Sequence, residues 1–213
     1  MIATFARFDL LSWFPRTQTL LTLLFVVVIG IVLPVPGMAI VAAALVTSLM
    51  LSAPFLGDER GRLDTLYGIL PISRSTVVFG RALSTVVYYA AAASLATVIT
   101  VMMAVVRGND IPSEMMLIAH ACAMAVFGLA IALQLPVFFR VGYSRGRFMS
   151  YAPVLVIAGG AWLLQATDLH LPLLGTMEGV PLPLIVCLGC GLGLAGVLGG
   201  AAASAVFYRT REL

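Results

Sequence analysis

The chain has 213 residues, of which 62% are hydrophobic and only 10% are charged. A soluble domain has about 25% charged residues, so a chain this apolar is predicted to lie in a bilayer. All twelve basic residues are arginine. The missing lysine excludes a standard phosphate loop and Schiff-base chemistry, because both require a lysine amine. The net charge is only +3, and the arginines lie between apolar runs, which is typical of membrane insertion and not of nucleic-acid binding.

Residues 1–16 are predicted to form an amphipathic helix at the membrane surface. Asp9, Ser12 and Arg16 share one helical face, while Trp13 is an aromatic residue of the kind favoured at a membrane interface. The amphipathic pattern has one exception, since Phe5 falls on the polar side. We expect this helix to lead into the first span, which would direct insertion without a cleavable signal peptide.

The hydropathy pattern then predicts an all-α membrane protein with six transmembrane helices in a single domain. The predicted spans are residues 17–33, 38–56, 81–106, 114–139, 148–167 and 181–208. Pro136 is expected to kink the last turn of the fourth span. The segments between the second and third spans (57–80) and between the fourth and fifth (140–147) are predicted to be basic loops.

The distribution of arginine predicts the orientation. With the N-terminus inside, all the arginines except Arg107 fall on the cytoplasmic side. Short cytoplasmic loops are enriched in basic residues, so both termini are expected in the cytoplasm.

The loop at 57–80 contains a second amphipathic pattern. Leu63, Leu66, Tyr67 and Leu70 follow the i, i+3, i+4, i+7 spacing of one helical face. Pro71 is expected to end this short helix, and Ser73 to cap the next one. The spacing leaves two functions open: the helix docks on a soluble partner, or it lies on lipid.

Residues 58–81 resemble the first cytoplasmic loop of the small six-span permeases of type-2 ABC exporters. The shared elements are an acidic pair (Asp58-Glu59), an amphipathic turn, the run Leu70-Pro71-Ile72-Ser73-Arg74 and a basic residue opening the third span. The start of the chain, Arg7-Phe8-Asp9-Leu10-Leu11, also resembles the opening of that family. The family usually has lysine where this chain has Arg81, which is a mild departure.

This resemblance implies a bacterial plasma-membrane permease whose loop contains a coupling helix seated in a separate ATPase. It implies two ATPase subunits carrying ATP and Mg, no cofactor in this chain, and a second permease copy or paralogue as partner. The implied ATPase contacts are Asp58, Glu59, Arg60, Arg62, Asp64, Leu66, Tyr67 and Arg74. Arg74 has an alternative role as an anchor to lipid phosphate.

Polar residues and small residues inside the apolar runs have two interpretations each. His120, Gln134 and Gln165 either line a substrate pathway or form hydrogen bonds between helices, and the second is favoured. Four glycines of the last span form small-xxx-small motifs, which favour packing within the bundle over a dimer contact: Gly189, Gly193, Gly196 and Gly200. Cys187 and Cys190 are interpreted as small packing residues and not as a redox pair.

The leading functional prediction is a permease subunit that exports an amphipathic or hydrophobic substrate such as a peptide, lipid or drug. The predicted external loops are too short to form a capture domain, and no acidic residue is predicted deep in a span to drive proton- or sodium-coupled transport. One alternative is an accessory or immunity protein without transport. A less favoured alternative is an intramembrane enzyme, for which the sequence shows no nucleophile–base pair or carboxylate cluster.

Overall fold

A computed structural model describes residues 1–14, 16–33, 35, 37–61, 63, 72–168 and 179–210. Regular structure in these residues is helical throughout, which confirms the predicted all-α class. The helices are α1 (Ile2–Trp13), α2 (Thr17–Val32), α3 (Met38–Met50), α4 (Ala53–Gly61), α5 (Arg74–Arg107), α6 (Ser113–Gly146), α7 (Ala152–Ala166) and α8 (Leu182–Thr210). A short 3-10 helix, Arg147–Tyr151, joins α6 to α7.

Four helical segments of the described chain are long and apolar enough to cross a membrane: Met38–Gly61, Arg74–Arg107, Ser113–Ala166 and Leu182–Arg209. Helices α1 and α2 are long and apolar enough only when they are taken together, and the two are bent by 85° relative to each other. By length and composition, the described residues therefore contain four or five candidate spans, whereas the hydropathy pattern predicts six. The predicted fourth and fifth spans fall within one helical stretch, and α2 has 16 residues where a span typically needs about 20.

Helix α5 begins at Arg74, seven residues before the predicted start of the third span at 81. Ser73 is its N-cap, as the sequence predicts, because the Ser73 hydroxyl accepts a hydrogen bond from the Thr76 N–H at 3.2 Å. At the other end Gly108 adopts a left-handed conformation with φ 66°, which commonly terminates a helix. The charged start of α5 is thus helical, which gives Arg74 and Arg81 defined positions on one rigid element.

The prediction that residues 140–147 form a loop is wrong. Helix α6 continues to Gly146 and is interrupted only at Gly142, whose φ of 78° and ψ of 178° are readily adopted only by glycine. Pro136 lies inside α6, and the non-helical residue comes six positions later. The 3-10 turn Arg147–Tyr151 then connects directly to α7, so this basic segment is ordered helical structure.

Helix α3 packs against both α5 and α6, and the other helices pack around these three. Helix α8 lies along α6, while α1 and α2 pack on α5. Small side chains fill the centre of the bundle, among them Ala43, Ala92, Ala123 and Ala130, each fully buried. Small residues permit close approach of helices in a bilayer, where helix association depends on packing and not on the hydrophobic effect.

The four glycines of the small-xxx-small motifs lie on the side of α8 that faces α6. A Cβ atom at Gly193 would be 2.5 Å from the Met124 carbonyl oxygen, and one at Gly196 would be 2.5 Å from the Gly128 backbone. The other two members contact α6 in the same way, at Ala121 for Gly189 and at Ile131 and Ala132 for Gly200. Cys187 and Cys190 on the same helix are free thiols.

Candidate functional site

One side of α1 is buried against α5, and it includes Phe5, the exception to the amphipathic pattern of the sequence. Phe5, Asp9 and Trp13 follow one another every four residues and are 7%, 1% and 3% exposed. Phe5 fits against Gly80, where a Cβ atom would approach its ring to 2.6 Å. The Trp13 ring packs on Tyr88 with centroids 5.2 Å apart. The Asp9 side of this helix therefore packs on α5.

Arg81 of α5 joins this buried face to α4. Its Nε and Nη2 atoms donate to Asp9 Oδ1 at 3.1 and 2.8 Å, and its Nη1 atom donates to Asp58 Oδ2 at 2.6 Å. The Arg81 side chain is 1% exposed, so the ion pairs lie in a low-dielectric environment. We call Asp9, Asp58 and Arg81 the Arg81 cluster; it links α1, α4 and α5.

Neighbouring groups complete the hydrogen bonding of the cluster. The Ser84 hydroxyl donates to Asp9 Oδ2 at 2.5 Å, and the Trp13 indole N–H donates to the same oxygen at 3.4 Å. The Arg81 guanidinium carbon lies 4.7 Å from the centre of the Phe55 ring. Buried ions are costly unless they are paired and hydrogen-bonded, and each of these contacts offsets part of that cost.

Glu59 connects α4 to the far end of α6. Its carboxylate accepts hydrogen bonds from the Ser144 backbone N–H at 3.0 Å and from the Ser144 hydroxyl. Ser144 follows the break at Gly142, where the regular helical hydrogen-bond pattern is interrupted, so its N–H is available to another acceptor. The acidic pair Asp58-Glu59 therefore binds in two directions, to α5 and to α6.

Arg74 bonds to the end of α8. Its Nη1 atom donates to the carbonyl oxygens of Tyr208 and Arg209 at 3.1 and 3.0 Å. The last carbonyls of a helix have no partners within the helix, and a cation there is also favoured by the helix dipole. In this structure the Arg74 guanidinium is thus engaged by protein acceptors.

The structure brings together three of the eight predicted partner contacts at this end of the bundle: Asp58, Glu59 and Arg74. Arg60 is exposed near the end of α4. The other four lie outside the described residues: Arg62, Asp64, Leu66 and Tyr67. Sequence reasoning did not identify Asp9 and Arg81 as partners. The available signal was an arginine placed where an apolar span begins, since such a charge needs an anion nearby.

The polar residues considered for a pathway do not converge. His120 Nε2 is 3.0 Å from the Thr97 hydroxyl of α5, and His120 Nδ1 is 2.8 Å from the Met116 carbonyl oxygen. Gln134 is fully buried and donates to the Ser150 carbonyl oxygen at 3.1 Å. Gln165 is exposed on α7. These contacts connect neighbouring helical segments at separate places in the bundle.

Long apolar helices held at one end by buried and capping arginines define a multi-pass α-helical membrane protein. A family model described as ABC-2 family transporter protein matches residues 9–197, and the chain therefore belongs to that family. It is a permease subunit of an ABC transporter, and membership implies association with an ABC ATPase subunit. The matched range includes all three members of the Arg81 cluster. Among curated proteins and solved structures, the searches found no match to the chain.

Proposed function

We propose that this permease subunit exports an amphipathic or hydrophobic substrate and that the loop at 57–80 receives the motion of a separate ATPase. In this proposal the chain crosses a bacterial plasma membrane six times. Its termini and the end that carries the Arg81 cluster lie in the cytoplasm. ATP and Mg are bound by two partner ATPase subunits, and this chain contributes no catalytic group.

The observation that carries the proposal is that the Arg81 cluster joins the two ends of the loop. Asp58 lies just before the predicted coupling helix and Arg81 lies after it, and the two side chains are joined at 2.6 Å. A force applied to the loop therefore acts on α4 and α5 together. Asp9 extends this connection to α1, and the Glu59–Ser144 contact extends it to α6.

The packing of the bundle supports a pathway between two permease subunits. Alanines and other small side chains fill the centre of the described bundle. Helices α2 and α7 present large exposed apolar side chains, including Phe25 at 54% and Trp162 at 66%. We propose that a second copy or a paralogue encloses the pathway together with this chain.

The test is co-purification with the ATPase after a charge change at Arg60. Arg60 is exposed and precedes the predicted coupling helix, so Arg60→Glu should reduce recovery of the ATPase several-fold by like-charge repulsion or loss of an ion pair, without affecting folding. The matched control is Asp110→Arg in the exposed turn after α5. We expect the control to retain the ATPase.

Two results contradict the proposal. Failure of the unmodified chain to co-purify with any ABC ATPase would remove its basis. Unchanged substrate resistance in cells whose partner ATPase is catalytically inactive would instead indicate an accessory or immunity protein.

A further inference from the structure

The arginines at the end of the bundle with the Arg81 cluster differ in how they are engaged. Arg74 and Arg81 donate to protein acceptors, as described above. Arg147 is exposed, and its guanidinium carbon lies 5.0 Å from the centre of the Phe148 ring. The salt bridges found within the described ranges are those of Arg81 with Asp9 and with Asp58, and Arg147 takes part in neither. Its charge is therefore available to an anion from outside these ranges.

Arg147 lines a pocket of about 380 Å³ between the end of α3 and the 3-10 turn. One wall is formed by Leu49, Met50 and Ser52, and the other includes Phe148 and Tyr151. This volume falls within the range of roughly 300–1,000 Å³ that is typical of small-molecule sites. The lining combines an arginine, hydroxyl groups and apolar side chains, so it suits a ligand with both an anionic and an apolar part.

The pocket is built by the break between α6 and α7. Gly142 interrupts α6, and the chain then forms the 3-10 turn Arg147–Tyr151. The buried Gln134 side chain holds this turn by donating to the Ser150 carbonyl oxygen at 3.1 Å. Ser150 itself lines the pocket, so its wall is anchored in the interior of the bundle.

The pocket opens where charged and apolar surfaces meet. Phe148 and Tyr151 are 72% and 57% exposed, and exposed apolar side chains continue along α7 at Leu155 and Trp162. In a membrane protein, aromatic residues next to arginines mark the level of the lipid headgroups, and the apolar surface beyond them faces the acyl chains. Arg145, two residues before Arg147 in the chain, is also exposed and adds positive potential.

We propose that this pocket binds an anionic phospholipid of the surrounding bilayer, with Arg147 as the ligand of the phosphate. A guanidinium group carries a planar array of N–H donors whose geometry matches phosphate oxygens. The apolar side chains of α7 then contact the acyl chains. This assignment is independent of the transport cycle, because it concerns only the chain and the lipid.

The experiment measures binding of fluorescent phosphatidylglycerol to the purified chain in phosphatidylcholine nanodiscs. We expect Arg147→Gln to weaken binding at least about tenfold, because it removes a charge-assisted contact to phosphate. Arg147→Lys should weaken it less. The matched control is Arg145→Gln, which removes a nearby exposed arginine that does not line the pocket. Ser52→Leu tests the pocket by filling it without changing charge.

The outcomes separate a specific site from general attraction. Loss of binding in Arg147→Gln and Ser52→Leu, with binding retained in Arg145→Gln, supports the proposal. Equal losses in Arg147→Gln and Arg145→Gln overturn it in favour of nonspecific charge attraction. Displacement by inorganic phosphate as effective as displacement by unlabelled phosphatidylglycerol overturns the lipid assignment, as does equal competition by phosphatidylcholine. All variants are compared only as monodisperse protein. If Arg147→Gln does not fold, Ser52→Leu decides: loss of binding supports the pocket, and retained binding overturns the proposal.

Discussion

At the scale of single residues, Arg81 shows why an arginine suits this position. It donates to two carboxylates from two helices with three different nitrogen atoms. A lysine in its place would carry a compact charge without the planar array of donors. The arginine thus holds Asp9 and Asp58 at defined distances and also lies over the Phe55 ring.

Removing this arginine should be among the most damaging single changes at this end of the bundle. Arg81→Gln leaves two buried carboxylates without their guanidinium partner, and we expect a loss of about 3–5 kcal/mol in unfolding free energy. Arg81→Lys should lose less, because the charge remains. Thermal or denaturant unfolding in detergent measures both variants, and Arg60→Gln on the exposed side of α4 is the control. A melting temperature of Arg81→Gln equal to that of the control would refute a stabilising role for the cluster.

Residue identity alone predicted part of this site. The acidic pair and the basic start of α5 are recognisable from the resemblance, and Ser73 is recognisable as a cap from its position before the helix. The partner of Arg81 was not predictable, because Asp9 is 72 residues away in sequence and its helix was expected to lie at the membrane surface. Periodicity shows which residues share a face but does not show what that face meets.

At the scale of helices, the α6–α8 contact depends on glycine at every third or fourth position along one face of α8. Gly196 meets the Gly128 backbone, whereas Gly199 has no atom within 4 Å of where its Cβ would be. The two residues lie on the same helix, three positions apart. They therefore offer a matched comparison between a packed and an open position.

We expect Gly196→Leu to destabilise the protein by about 1–3 kcal/mol or more, because overpacking against backbone forces the helices apart. Gly199→Leu should leave stability close to that of the unmodified chain. Unfolding in detergent measures stability, and size-exclusion chromatography measures self-association. If Gly199→Leu dissociates a dimer while Gly196→Leu remains folded and stable, the glycines serve a subunit contact and the packing interpretation fails.

Helix boundaries were less predictable than helix existence. The hydropathy pattern places the main apolar segments, since it reads the mean character of about 20 residues at a time. It ended the fourth span at 139, but α6 continues through the polar residues to Gly146, because local polarity does not stop a helix whose end packs on α4. The break at Gly142 was not predictable either. A glycine in the sequence shows that an unusual backbone conformation is possible there, but not that it is adopted.

At the scale of the whole molecule, the contacts of the Arg81 cluster predict that α1, α4 and the start of α5 move as one unit. In the complex with its ATPase, paired spin labels at the exposed positions Phe8 on α1 and Leu83 on α5 should keep their distance within about 2 Å between nucleotide-free and ATP-trapped states. The labels are introduced after replacement of the three native cysteines. A label pair between Phe8 and Leu155 on α7 serves as the comparison and should change more.

The variant Arg81→Gln provides the control for that movement. Loss of the cluster should let the Phe8–Leu83 distance broaden or shift when ATP is trapped. An unchanged distribution in the variant would show that other contacts hold the unit together. A large change in the unmodified protein would show that α1 is not part of the moving unit, which would contradict the proposed route of force from the 57–80 loop.

The sequence by itself determined the helical class, the membrane environment and the resemblance that the family match bears out. These depend on composition, on the mean hydropathy of long segments and on short motifs, all of which are local in sequence. The tertiary structure alone decided that Asp9 is buried against Arg81, that the glycines of α8 face α6, and that Arg147 lines a pocket next to the apolar surface of α7. Each depends on residues distant in sequence meeting in space, and such contacts follow from how helices pack and not from the pattern within any one helix.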